Sequence, residues 1–469
     1  MSALAAVITR DWRDSARTGA LRWLLIGFAA LAMAALASGA VRVAETERDR
    51  LAAEAADART FNEQGARNPH AVAHFARYAM RPMGGMTLLD PGIVPFAGTA
   101  IWMEAHTQNP ANARPAEDDG VNPRFGALTP AWIALTLLPL LAIAFGHGAI
   151  ARERQGGTWP LLLLGGATPA TLTRAKAAGV AVPVLGPALL FGALSVAVAF
   201  VAGGGLFPDD ELRAAGWVLG VGVYAAIALF VSLGVSAVAS SARQALLVLL
   251  SAWLIAVFAV PRLGSTVADQ MIPAPHGQAF AATLKQEVRD AVQAARAGHG
   301  SGPNSPKTVT APDGRVLSFQ GLRLQQGEEI GDVIHDRRYA ELYGQYRAQE
   351  RVRAWFGLLS PAVPFQALSA TLAGTDIAHQ QDFQAQAETT RRAMVKVLNT
   401  DMIDKAGDQG SDYLSDPALW RTIPSFTYRA PALADLPTRA LWDALALLIW
   451  LATAIGFYGW AMARLSRPQ

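Results

Sequence analysis

Apolar and polar positions along this chain fall into long blocks, not short alternations. Six apolar stretches lie at approximately 22–41, 130–150, 178–202, 216–239, 244–261 and 440–463. A bilayer core of ~30 Å takes roughly 20 apolar residues of helix to cross, so each stretch predicts a transmembrane helix. The fourth and fifth are separated only by Ser240 to Arg243, which predicts a tight helical hairpin. Pro139, Pro183, Gly186, Pro187, Gly220 and Gly222 fall inside these stretches, where membrane helices tolerate them. The expected fold class is an all-α membrane protein, with six transmembrane helices and two mainly helical extracytoplasmic insertions.

Positive charge gathers near one set of span ends: Arg10, Arg13, Arg17 and Arg22; Arg152, Arg154, Arg174 and Lys176; Arg243; and Arg464 with Arg467. The opposite short loop, around Asp209, Asp210 and Glu211, is acidic with one Arg. Long insertions cross regardless of charge, so the short loops decide, and both termini are expected in the cytoplasm. The first stretch ends in Ala37-Ser38-Gly39-Ala40, small residues of the kind that end a cleaved signal. Its apolar core is longer than the ~7–15 residues of a signal peptide, which predicts an uncleaved anchor.

Within this frame, 1–19 places Leu4, Val7, Ile8 and Trp12 among Arg10, Asp11, Arg13, Asp14 and Arg17, the pattern of an amphipathic helix on the cytoplasmic face. The first span is 20–41 and the first outer part 42–129, opening with a helical pattern from Glu45 to Arg67 and ending in a Pro-, Asn- and Gly-rich loop. The second span, 130–150, leads into a cytoplasmic loop at 151–177, and spans three to five occupy 178–261. The second outer part, 262–439, carries helical patterns at Phe280–Ala297, about Glu328 through Arg353, and from a Thr375-Asp376 N-cap to about Leu398. It shows no run of alternating strands, its 299–315 segment reads as a mobile loop, and it is expected to pack with 42–129. The sixth span is 440–463 and the tail 464–469.

Composition narrows the chemistry. Of 469 residues, 52% are apolar and 16% charged, too apolar for a soluble chain of this length. A net charge of +3 gives no field that would draw nucleic acid. Cysteine is absent, which excludes disulfides, a thiol nucleophile and thiolate metal sites. The nearest approach to a phosphate-binding loop, Gly302-Pro303-Asn304-Ser305-Pro306-Lys307-Thr308, lacks the Gly before Lys and has prolines where backbone N–H groups should cradle phosphate. ATP hydrolysis by this chain is not expected, and no catalytic residue or cofactor is assigned.

His70 and His74 stand at i, i+4, and Glu104 and His106 are candidates to complete a metal site. Ala71 occupies the position where a zinc protease carries its Glu, so a hydrolase is not expected. Histidines satisfying local hydrogen bonds at a helix start explain the pair without a metal, and no metal ligand is assigned. His147 and Asp443 lie near span ends, and no Asp, Glu, Lys or Arg falls in mid-span, which argues against an ion-coupled transporter.

The loop after the second span carries more information. Arg152-Glu153-Arg154-Gln155-Gly156-Gly157-Thr158 is followed by Trp159-Pro160 and Leu161 to Leu164. A simple positive anchor explains Arg152, Arg154, Arg174 and Lys176. It does not explain Glu153, the Gly-Gly-Thr turn or the leucine cluster, which suit a short helix whose apolar face meets a protein partner.

Here the sequence resembles the ABC-2 type exporter permeases, in the run Glu153-Arg154-Gln155-Gly156-Gly157-Thr158, then Leu161 to Leu164, Thr168-Pro169 and Lys176. The outer parts resemble the subfamily that carries domain of unknown function 3526. Its matching stretches are Asn68-Pro69-His70 with His74, Leu89-Asp90-Pro91-Gly92, Glu104-Ala105-His106, Leu359-Ser360-Pro361 and Leu372 to Asp376. His379, Phe383, Glu388, Arg391-Arg392 and Leu398-Asn399 complete the likeness, with Gln380 standing where a second His is expected. The resemblance implies residence in a bacterial inner membrane and an N-terminal elbow helix at 1–19. It also implies docking of a separate cytoplasmic ATPase through Arg152, Glu153, Arg154, Gly156, Gly157 and Thr158, and pairing with a second permease subunit. The expected function is the permease of an ATP-driven exporter; the alternative is a mechanical transmitter acting on an outer partner without substrate passage.

Overall fold

The computed structural model describes residues 5, 8–10, 13, 17, 19–75, 77–114, 128–165, 167–297, 306–423 and 425–465. Of the expected elbow helix, Leu4, Val7, Asp11, Trp12 and Asp14 lie outside these residues, while 8–10 are helical. Gly302 to Ser305, part of the expected mobile loop, and Arg467 also lie outside them.

The chain is predominantly helical, and six of its helices are long and apolar enough to cross a membrane. They are α1 (Gly19–Asn62), α3 (Pro130–Gly146), α6 (Pro169–Gly203), α7 (Asp210–Val238), the segment Ala242–Met271 and α14 (Ala440–Leu465). α7 is central and packs on α3, α6 and α14 through a core that includes Trp217, Val221 and Tyr224. Leu189, Leu190 and Leu194 on α6 and Leu247 and Leu254 on the fifth helix point outward. Such all-round apolarity belongs to helices that meet lipid.

The helices overrun the apolar stretches that announce them. α1 continues about 20 residues past Ala40, a total of about 66 Å at the helical rise, because the polar sequence that follows is itself helix-forming. There Arg50 bridges Glu47 at 2.5 Å and Glu54 at 2.5 Å, one turn to either side. The helical pattern expected at Glu45–Arg67 is thus, as far as Asn62, a continuation of the first apolar helix. The fifth helix likewise runs on, as α8 (Ala242–Leu254), a π-helical turn (Ile255–Ala259) and α9 (Val260–Met271). In the widened turn the carbonyl of Ala256 would receive the N–H of residue 261, but that residue is Pro and has none. Ser360 Oγ donates to it instead, at 2.7 Å.

The two insertions share one end of the bundle and one core. The first contributes α2 (Pro69–Phe75) and an antiparallel pair, β1 (Arg77–Met80) with β2 (Ala100–Met103), in the register Arg77 to Met103. The second contributes α10 (Gly277–Ala297), α11 (Phe319–Trp355), α12 (Ala362–Leu372) and α13 (Ile377–Lys405). It also holds a small hairpin, β3 (Thr308–Thr310) with β4 (Val316–Ser318), where only loop was expected. Phe61, Val72, Ile101 and Met103 from the first insertion bury against Phe383, Val395, Leu398 and Trp420 from the second. Asp376 caps α13 as the sequence indicates, accepting from His379 N at 3.0 Å.

At the seam, the stretches Leu89–Gly92 and Leu372–Asp376 meet directly. Thr375 Oγ1 donates to Asp90 O at 2.9 Å, and Ile93 N to Thr375 O at 3.0 Å. Gly92, at φ +49°, approaches so closely that a Cβ there would lie 2.4 Å from Thr375 O. Only glycine fits that position.

Candidate functional site

At the end of the bundle away from the insertions, the loop after α3 forms a bracket of two short helices, α4 (Ala151–Gln155) and α5 (Thr158–Leu164). Gly157 sits between them at φ +69°, a left-handed conformation that glycine adopts without strain. Ser236 of α7 holds the start of the bracket, its Oγ accepting from Ile150 N and Ala151 N, both at 3.1 Å.

The charges of the bracket mostly turn inward. Lys176, 2% exposed, donates to Glu153 Oε1 at 2.6 Å, and Arg10 of the N-terminal segment bonds the same carboxylate. Glu153 thereby ties the N-terminal segment, the bracket and α6 together. Arg154 Nη1 donates to Ala237 O and Ala239 O at 2.8 and 2.9 Å, capping the carbonyl end of α7 where a cation is favoured. Arg152 meets His147 at 3.2 Å, and His147 Nδ1 lies 2.9 Å from Ile143 O, so this histidine is fully engaged within its own helix end. Thr158 Oγ1 donates to Glu153 O at 3.2 Å. Exposed on the bracket are Arg152, Gln155, Gly156, Gly157, Thr158 and Pro160, and the leucines Leu161 and Leu164 at 63% and 83%. Trp159 is buried beneath them. The six loop residues singled out from the sequence are thus together: Glu153 and Arg154 hold the bracket in place, while Arg152, Gly156, Gly157 and Thr158 are exposed beside Leu161 and Leu164.

At the opposite end, sequence reasoning passed over Arg213. This fully buried guanidinium pairs with Asp209 at 2.7 Å, donates to Thr371 O at 3.1 Å and Pro431 O at 3.2 Å, and lies 3.9 Å over the Phe207 ring. It also contacts His379 Nε2 at 3.1 Å, while His379 Nδ1 meets Asp376 at 2.5 Å. Burial alone would raise the Asp376 carboxyl, but His379 and Thr371 outweigh it and hold it below its usual range. With both ring nitrogens taken, His379 is a joint between α7 and α13, not a free ligand. The Asp209–Arg213 spacing of four is the signal that could have flagged it.

The unit formed by the two insertions gathers three histidines. Asn68 Oδ1 accepts from His70 N at 2.9 Å and caps α2, which sets His70 and His74 on one face. The turn after β2 brings His106 to them, with ring centroids 4.6 to 5.3 Å apart. Their ligand nitrogens all lie within 4.8 Å of one another, a group able to hold a metal ion. Burial, then the neighbouring imidazoles, push His70 down to about 4, so it is neutral near pH 7. Glu104 does not join them; its Oε1 accepts from Asn109 Nδ2 at 3.1 Å. Instead Glu328 of α11 takes His106 Nδ1 at 2.6 Å and His106 N at 2.8 Å. Burial favours its protonated form, but His106 and Arg391 override that and keep Glu328 below the usual carboxylate range. Arg391 is itself buried among Glu388, Glu328 and Asp332, at 2.7 to 3.1 Å.

Residues 277–429 match a family model described as a domain of unknown function, DUF3526. The match covers α10 to α13 and so supplies Glu328, Asp376, His379 and Arg391. The match spans about a third of the chain, and the spans and the bracket lie outside it. No curated protein matches the chain.

Proposed function

We propose that this chain is the permease subunit of an ATP-driven ABC-2 type exporter in a bacterial inner membrane. A separate cytoplasmic ATPase docks on the bracket of α4 and α5, and a second permease subunit, identical or related, completes the pathway. The observation that carries this reading is the construction of the bracket. Its outward side is an apolar step of Leu161 and Leu164 beside a Gly-Gly turn, the kind of exposed patch that marks a protein contact. Its inward side is joined to α7 by Ser236 and Arg154 and to α6 by Lys176. A push on such a bracket moves two spans as a rigid body, which is how an ATPase stroke would reach the membrane.

An open cleft of ≈ 1300 Å³ at the insertion end of the spans supports the exporter reading. Arg42, Arg347, Arg351 and Arg439 line it together with Trp132 and Trp442. The transmitter alternative draws support from α1, which runs unbroken from the bundle into the core of the outer unit, where Phe61 is buried. Transport into inverted vesicles holding the whole complex separates the two, since only an exporter moves solute.

The docking assignment is tested by the double substitution Leu161→Asp with Leu164→Asp. Both side chains are exposed, so insertion and yield should stay unchanged while the ATPase no longer co-purifies. Co-purification at normal yield would show that the assignment is wrong.

A further inference from the structure

His70, His74 and His106 take no part in the proposed transport machinery, yet four separate features of the fold converge on them. Their nitrogens lie within 4.8 Å of one another. A tetrahedral zinc ion with bonds of about 2.0–2.1 Å needs nitrogens about 3.3 Å apart, a closure that small ring rotations provide. Among the described residues, the His70 and His74 rings make no hydrogen bond to a protein group, and they face each other and His106 edge to face or tilted. His106 holds φ +65°, a conformation non-glycine residues seldom adopt and one that concentrates at ligand sites.

The fourth feature is Glu328. Its carboxylate takes Nδ1 of His106, which leaves Nε2 as the nitrogen for an ion. Metal-bound histidines nearly always have such an outer carboxylate, which fixes the ring and strengthens the ligand. Arg391 fixes Glu328 in turn, at 3.1 Å. His74 is exposed and borders a cleft of ≈ 490 Å³ lined by Asp57, Tyr78 and Trp102, so the side opposite the protein is open.

We propose that these three histidines bind a divalent transition-metal ion, with water in the fourth position. Three imidazoles and no carboxylate or thiolate select a borderline ion such as Zn²⁺ over Mg²⁺ or Ca²⁺. Ala71 follows the first histidine, Glu104 accepts from Asn109, and Asp57 pairs with Arg77, so the role proposed for the ion is binding. The ion joins α2 and the β2 turn of the first insertion to α11 of the DUF3526 segment through Glu328, and so ties the two insertions together.

The test uses the full chain, purified in detergent with any affinity tag removed and stripped with a chelator. Titration with Co²⁺ should give one equivalent bound with the intense visible absorption of a tetrahedral nitrogen and oxygen site, and Zn²⁺ should displace it. His70→Ala and His106→Ala should abolish that signal, and Glu328→Gln should weaken binding by about 10–100-fold. His74→Gln, at an exposed position, should lose tetrahedral binding while the metal-free protein unfolds at an unchanged temperature, so misfolding is not the cause. Absence of a one-equivalent tetrahedral signal in the unaltered chain, or its survival in His74→Gln, would overturn the proposal.

Discussion

The carboxylate of Glu153 is expected to be the most sensitive group in the bracket. Lys176 is 2% exposed and Glu153 11%, at 2.6 Å, so the ammonium has almost no water to replace its partner. Removing one member of a buried pair costs about 3–5 kcal/mol. Lys176 keeps further contacts at the base of α6, which places Glu153→Ala at the lower end, about 3 kcal/mol. Arg10 bonds the same carboxylate from a 43% exposed position, where a pair contributes at most about 1 kcal/mol. Arg10→Ala should therefore be mild. Lys176→Met added to Glu153→Ala removes the buried ammonium along with its lost carboxylate and should restore part of the loss, a coupling of about 1–3 kcal/mol. Unfolding in detergent, followed by the fluorescence of the 12 tryptophans, ranks Glu153→Ala, Arg10→Ala, Lys176→Met and the double variant. The reasoning is refuted if Glu153→Ala is no worse than Arg10→Ala, or if the double variant loses the sum of its two single losses.

Two further outcomes are expected. Arg213→Met removes the fully buried guanidinium that joins Asp209, the Thr371 and Pro431 carbonyls and His379, and should lower stability by about 3 kcal/mol; a thermal midpoint within a degree of the unaltered protein would contradict this. Gly157→Ala places a Cβ in open space at φ +69°, so only backbone strain acts, about 1–2 kcal/mol, and Gly157→Asn should cost less, as read by the same unfolding assay.

The chain shows which features are legible in one sequence. The six spans are, because an apolar run of helical length is a local signal. Their ends are not: Glu47, Arg50 and Glu54 read as the start of a soluble helix, yet they continue α1. Pro261 reads as a stop, yet Ser360, a hundred residues on, satisfies the carbonyl it leaves. The bracket's turn at Gly156-Gly157 and one short helix beside the leucines are legible; the second helix, Ala151–Gln155, is not. That Glu153 turns inward is not legible either, since Arg10 and Lys176 lie far from it along the chain. His70 and His74 announce each other at four residues' spacing, and Asp376 announces its cap. Glu328 stands 222 residues from His106, and nothing near either one signals the pairing. Contacts across the two insertions exist only once the shared core around Phe61 and Phe383 has formed.

Docking is the central claim, and a photo-crosslinking amino acid placed at Leu161 tests it most directly in native membranes. The control carries the same group at Phe96, 71% exposed at the opposite end of the bundle. Irradiation should join the Leu161 variant to a protein that mass spectrometry identifies as an ABC ATPase subunit, and should not join the Phe96 variant to it. A crosslink to that ATPase from Phe96, or none from Leu161 in membranes that contain it, would contradict the account.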